Sequence, residues 1–188
     1  MPDGQQSPQE RNEEIYATAS SSSITTSSIT VGKLVDNSIE RHGLQSKKIC
    51  EKLRSSLPPY DQLKSTLELR GSWWCHFHRK THPLTKTKES LVNYAAQLYT
   101  SNDPVDLGIL VIAFARSTGQ DHQLYSLVDQ LVISDKAFGY SIHGLECLLL
   151  LAKVYTDIGQ PRRSWYITRQ GLNAAQLMVK TVLAPYNT

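Results

Sequence analysis

Apolar residues return every three or four positions through most of this 188-residue chain, and they are densest from Ile142 to Met178. Ile142, Leu145, Leu149, Ala152 and Tyr155 share one face of a helix, with Leu148 and Ile158 beside them, which commits that face to burial. Cys147, Leu150 and Leu151 carry apolar character round much of the remaining circumference, so this helix is expected at the centre of the fold. Gly159 can close it in the left-handed conformation, and Pro161, with its fixed φ and missing donor, suits the first turn of a following helix. The pattern predicts a two-helix hairpin. Its second member is expected to bury Trp165, Leu172 and Ala174 or Ala175, and to turn Arg162, Arg163, Arg169, Gln170 and Asn173 to water. Gly171 lies mid-helix at a cost of about 1 kcal/mol against alanine, tolerable where another backbone packs closely.

The same periodicity organises the rest. From Asp36, Ile39, Ile49, Leu53 and Leu57 lie among Arg41, Lys47, Lys48, Lys52 and Arg54, an amphipathic helix with a basic face that Pro58-Pro59 stops. Asp61 stands in cap position for a second helix, with Leu63, Leu67, Trp74 and Phe77 on its core side and Pro83 as its end. Lys88 to Tyr99 is a third. Ser101-Asn102-Asp103-Pro104 reads as cap and first turn of a fourth, Val105 to Arg116, which Gly119 ends. A fifth runs from Gln123 to Ser134, and a loop through Gly139 and Tyr140 leads to the hairpin.

Amphipathic helices joined by short connections define an all-α class, a multi-helix array of antiparallel hairpins. Residues 1–35 include ASSSSITTSSIT and read as a disordered Ser/Thr-rich leader, with too little apolar surface to offset its ordering entropy. The alternation from Ile24 to Val35 resembles a strand but has no partner strand. Residues 36–178 form the helical domain and 179–188 an irregular tail.

Composition narrows the function classes. With 40% hydrophobic residues and a net charge of +3, the chain fits a soluble globular class whose charge is too small to argue for nucleic acid without a clustered face. Cys50, Cys75 and Cys147 are an odd number at wide spacing, which supports neither a disulfide framework nor a paired Cys-x2-Cys metal site. Glu146 and Lys153 interrupt the leucine run, so no segment reaches the length of a membrane span.

Candidate chemistry is sparse. On a helix Cys75, His78 and His82 fall at i, i+3 and i+7 and share a face, as zinc ligands would. No fourth ligand is evident and Trp73, Trp74 and Phe77 explain the helix as core, so no metal or cofactor is expected. Glu146 and His143, one turn apart, form a candidate buried polar pair. Arg162 and Arg163 sit where the helix dipole disfavours cations, which suggests ion pairing to a facing acid, Glu146 or Asp157. Arg79, Lys80, Lys86 and Lys88 make a basic patch suited to phosphate contact, nuclear import or plain solvation. There is no glycine-rich phosphate loop, nucleophile elbow or triad motif, so no catalytic residue is assigned and no enzyme is expected.

The segments GLECLLLLAKVYTDIGQPRRSW and LNAAQLM resemble the middle homology, or regulatory, region of fungal transcription factors, the family that usually begins with a zinc binuclear cluster. The resemblance is carried by Gly144, Leu145 and Glu146, by Tyr155, and by Gly159, Gln160, Pro161, Arg162, Arg163 and Trp165, over about a fifth of the chain. Weaker likeness extends upstream through Leu57-Pro58-Pro59, Trp73-Trp74, Phe77 and His82-Pro83-Leu84. The resemblance implies an all-α regulatory domain in the nucleus, cut short at its C-terminal end, with the motif residues in structural roles. The family's zinc cluster needs six cysteines in a pattern this chain lacks, so no residue inherits DNA contact and no specific DNA binding is expected. Partners are then other transcription regulators, or a homo- or heterodimer partner, and no membrane. The alternative is a helical-repeat-like interaction scaffold unrelated to transcription, since Leu149, Ala152, Tyr155, Gly159 and Trp165 resemble one tetratricopeptide hairpin, although no second copy follows at its period.

Overall fold

The computed structural model describes residues 42–81, 90–119 and 121–183. The leader, the Ile24 to Val35 alternation, His82, Lys86 and Lys88 lie outside them. The described residues are helical almost throughout, with no strand among them, which makes the fold all-α. The helices are α1 (42–55), α2 (Tyr60–Arg70), α3 (Trp74–Thr81), α4 (Leu91–Thr100), α5 (Pro104–Thr118), α6 (His122–Val128), α7 (Lys136–Gly139), α8 (Ile142–Asp157) and α9 (Pro161–Leu183). A 3-10 turn, Gly71–Trp73, joins α2 to α3, and a π turn, Asp129–Ile133, extends α6.

Short polar side chains set the helix starts by accepting from backbone donors that a first turn leaves open. Asp103 accepts from Val105 N–H ahead of Pro104, Asp121 from Gln123 N–H, and Ser141 from Gly144 N–H. Asp61 is not a cap: Pro59 holds that position, and Asp61 lies in the first turn of α2, where its charge suits the helix dipole. The predicted Asp61 to Pro83 helix is broken at Gly71. A Cβ there would lie 2.9 Å from Leu91 Cδ2, so the chain turns where α4 comes closest. The turn delivers Trp74 into the core, ringed by Trp73, Phe77, His78 and Tyr94. The π turn takes up an extra residue, with Ser134 N–H donating to Asp129 O at 3.0 Å, and both Val132 and Ile133 are buried. The predicted loop at Gly139 holds the single turn of α7 instead, capped by Asp135.

The centre belongs to α5. Val105, Leu107, Ile109, Leu110, Val111 and Ile112 are all buried, and together they leave no solvent face through its middle turns. It packs against α2, α4, α6 and α8. In α8 the buried side is Cys147, Leu148, Leu150, Leu151, Val154 and Tyr155, while Ile142 and Leu149, expected inside, are 80% and 50% exposed. An apolar circumference offers more than one stripe, and α5 selects the one it meets.

α9 departs furthest from expectation. Thr156 meets Ser164 across the turn at 2.8 Å and Gly171 faces Leu145 and Leu148, so the chain runs back along α8 as α9 advances. With 23 residues against 16, α9 outruns α8 by about seven residues, on the order of 10 Å. It also passes the 178 boundary, because Val179, Lys180 and Thr181 hold no glycine or proline to stop it. Ile167 and Ala174 are its buried residues, whereas Trp165 and Leu172 point outward, 61% and 60% exposed.

Candidate functional site

The α8–α9 hairpin carries the residues singled out from the sequence, and most of them build its joints. Gln160 N–H donates to Tyr155 O at 2.8 Å and Gly159 N–H to Thr156 O at 3.1 Å, the paired bonds that end a helix on a left-handed residue. Gly159 supplies that residue at φ 75°. Gln160 O then accepts from Ser164 N–H, with Pro161 in the first turn of α9, where no donor is missed. At the other end Gly144 lets α8 start against α7, since a Cβ on it would stand 2.3 Å from Phe138 O.

The charged motif residues are held by neighbours that spacing alone does not reveal. Arg163 donates through Nε and Nη2 to Asp129 Oδ2, at 3.1 and 2.9 Å, and its guanidinium lies 4.9 Å from the centre of the buried Tyr155 ring. The acid that meets it is therefore Asp129, on the π turn, and neither Glu146 nor Asp157. Asp157 is occupied by Arg116, at 2.7 Å, and by Lys153. Burial raises the Asp157 pKa, but the Lys153 hydrogen bond and the Arg116 and Lys153 charges outweigh it and leave the carboxyl below its ordinary range. Burial pushes the Tyr155 hydroxyl above its ordinary range, and the Asp129 charge adds to this against Arg163. Glu146 is buried and accepts from the Tyr94 hydroxyl at 3.4 Å, while His143 is exposed, so the two do not share one environment. Arg162 is exposed.

What the hairpin leaves open is apolar. Trp165, Leu172 and Val179 recur every seven residues on the side of α9 roughly opposite Ile167 and Ala174, all three more than half exposed. Arg169 lies over the Trp165 ring, 5.4 Å from its centre, and holds an exposed aromatic in place. Where α9 outruns α8, Ile142, Leu145, Ala175, Met178 and Val179 line an open groove of about 740 Å³. A cleft of about 570 Å³ is lined by Trp73, Phe77 and Leu149 together with Lys80, Arg116 and Lys153. Two of those three cations are already engaged by Asp157.

Of the three metal candidates, Cys75 and His78 lie among the described residues. Cys75 is exposed on α3, His78 is half-buried with its ring 5.8 Å from that of Trp74, and no group of three potential ligands occurs there. Arg79 and Lys80 of the basic patch are exposed on α3. Cys50 donates to Asn102 O at 3.2 Å, and Cys147 is fully enclosed, its thiol pushed up by burial. Among the described residues no helix is long and apolar enough to cross a membrane.

No family model matches the chain, and neither does any curated protein or solved structure. Reasoning from sequence missed two features of the hairpin, the Asp129 partner and the outward stripe. The first had no local signal, lying 34 residues from Arg163. The second had one: Trp165, Leu172 and Val179 are seven apart, and α9 contains arginine and lysine but no acid.

Proposed function

We propose that this chain is a helical regulatory module of the fungal transcription-factor type. It acts in the nucleus through contacts with other transcription regulators, a homo- or heterodimer partner or an effector, without catalysing a reaction and without a DNA reader of its own. The order from Gly144-Leu145-Glu146 to Trp165 supports the family reading by resemblance. The observation that carries the contact reading is the row of Trp165, Leu172 and Val179, left open on a hairpin whose Glu146, Gln160 and Arg163 are already bonded to neighbours within the fold. A contiguous apolar patch on a folded surface gains free energy by meeting another protein.

The test is a fusion of the full chain to an unrelated DNA-binding domain in a fungal nucleus, read on a reporter gene. Output is expected to change several-fold with the fused chain and to return to baseline with Leu172→Glu. The chain alone is expected to give no sequence-selective DNA shift at physiological salt, and a nanomolar selective shift overturns that part. A reporter indifferent to the fusion overturns the transcriptional role and favours the helical scaffold unrelated to transcription.

A further inference from the structure

The outward stripe of α9 has a shape and a charge. Trp165, Leu172 and Val179 are joined by the small Thr168 and Ala175 at alternating steps of three and four, the spacing by which one helix seats another. The row drifts by about 20° every seven residues, which a crossing partner follows by a slight left-handed wrap. It spans 15 residues, about 21 Å from first to last, and is narrow because the opposite side of α9 is buried on α8. Arg162, Arg169 and Lys180 lie along one flank, within roughly 60° of Trp165. Nothing in α9 offsets them: its only charged side chains are Arg162, Arg163, Arg169 and Lys180.

We propose that this face is the docking seam for one acidic amphipathic helix of a partner protein, with apolar residues at alternating steps of three and four against Trp165, Leu172 and Val179. Its carboxylates run along one edge, beside Arg162, Arg169 and Lys180. Charge selects this occupant over a second copy, since a second seam brings more cations and no carboxylate to meet Arg162, Arg169 and Lys180. Width selects it over a membrane surface, which takes up a broader apolar arc than a single row seven residues apart. The Arg169 stack over Trp165 orders the first anchor of the row before the partner arrives, which lowers the entropy lost on binding.

The inference rests on the reading of the chain as a protein-contact module and names the chemistry of the contact, whatever process it serves. The probe is a synthetic peptide of about 21 residues, with leucine at alternating steps of three and four and glutamate along one flank, titrated against the full chain at low salt. The expected result is saturable binding with a blue shift of Trp165 emission, weakened about tenfold by Leu172→Glu, by lysine in place of the peptide's glutamates, and by raised salt. Arg162→Glu, Arg169→Glu and Lys180→Glu together are expected to reverse the preference in favour of the lysine peptide, and unchanged melting of each variant shows that it is folded. No saturable binding overturns the seam, as does equal binding of both peptides. So does self-association of the chain that Leu172→Glu abolishes, or binding to anionic vesicles in preference to the peptide. If the peptide binds as stated while the reporter fusion is inert, the seam stands and the transcriptional reading falls. If the reporter responds and the peptide does not bind, the reverse holds.

Discussion

Two helical glycines in one hairpin should respond in opposite directions to the same substitution. In an ideal helix, glycine to alanine stabilises by about 1 kcal/mol, because alanine loses less backbone freedom on folding. At Gly171 that gain stands, since the nearest atoms to a new Cβ are side-chain carbons of Leu145 and Leu148 at 3.9 Å, an ordinary contact. No backbone atom is among those nearest contacts. At Gly144 the new Cβ meets Phe138 O at 2.3 Å and Gly139 C and O at 2.9 Å. These are backbone atoms with no rotamer to yield, so α7 must lift by about 1 Å. Lifting it disturbs the Ser141 hydroxyl, which donates to Phe138 O and accepts from Gly144 N–H. Overpacking of this kind costs about 1–3 kcal/mol, which leaves Gly144→Ala destabilised by up to about 2 kcal/mol after the helix gain. With a urea slope of roughly 2 kcal/mol/M, its midpoint falls by up to about 1 M and that of Gly171→Ala rises by about 0.5 M. Far-UV circular dichroism of both variants against the parent chain measures this. A Gly144→Ala midpoint above the parent value refutes the close approach of α7 to α8.

Four further outcomes follow from burial and ion pairing. Trp74→Ala should lose about 3–5 kcal/mol in urea unfolding, the cost of an emptied aromatic site, while Trp165→Ala stays within about 0.5 kcal/mol because its ring faces water. Asp157→Asn should be destabilised at neutral pH, with the difference from the parent shrinking as pH drops below the ordinary carboxyl value of 3.8, because a depressed folded pKa gives stability that acid removes. At the alkaline end Tyr125, whose pKa burial pushes up to about 12, should ionise late in a tyrosinate absorbance titration, and its contribution to stability, complete below pH 10, is lost as pH rises towards 12. Of the described cysteines, Cys75 should react first with a thiol reagent and Cys147 only on unfolding, read by mass spectrometry on partly labelled chain.

Local chemistry was legible in the sequence, and the choice of face was not. Asp103-Pro104, Gly119 and Gly159-Gln160-Pro161 mark helix ends through their own backbone preferences, and each sits at the end it marks. Asp61 misled because Pro59 already opens α2 one residue before Tyr60, which leaves the acid inside the first turn. Burial depends on neighbours that periodicity does not rank. In α8 leucines occupy 145 and 148 to 151, so several stripes are equally apolar, and contact with α5 decides which is inside. The acid partners followed the same logic. Asp157 was the nearer candidate for Arg163 along the chain, but Arg116 from α5 reaches it, and Arg163 is left to the π turn that brings Asp129 to the hairpin.

The two sides of α9 explain why periodicity alone places tryptophan and leucine in the core. Ile167 and Ala174 stand seven residues apart, and so do Trp165 and Leu172, so both pairs satisfy the same helical rule. Side-chain size separates them: a close hairpin admits the smaller pair, with Gly171 facing Leu145 and Leu148 between them, and excludes an indole. The larger pair is therefore displaced outward by packing, beside Arg169 and away from any acid of its own helix. Adding a charge at position 172 should leave the fold intact because that side chain is not part of the packing. A loss of several kcal/mol in Leu172→Glu, measured by urea unfolding of the isolated chain, places that face in the core and removes the basis for a seam there.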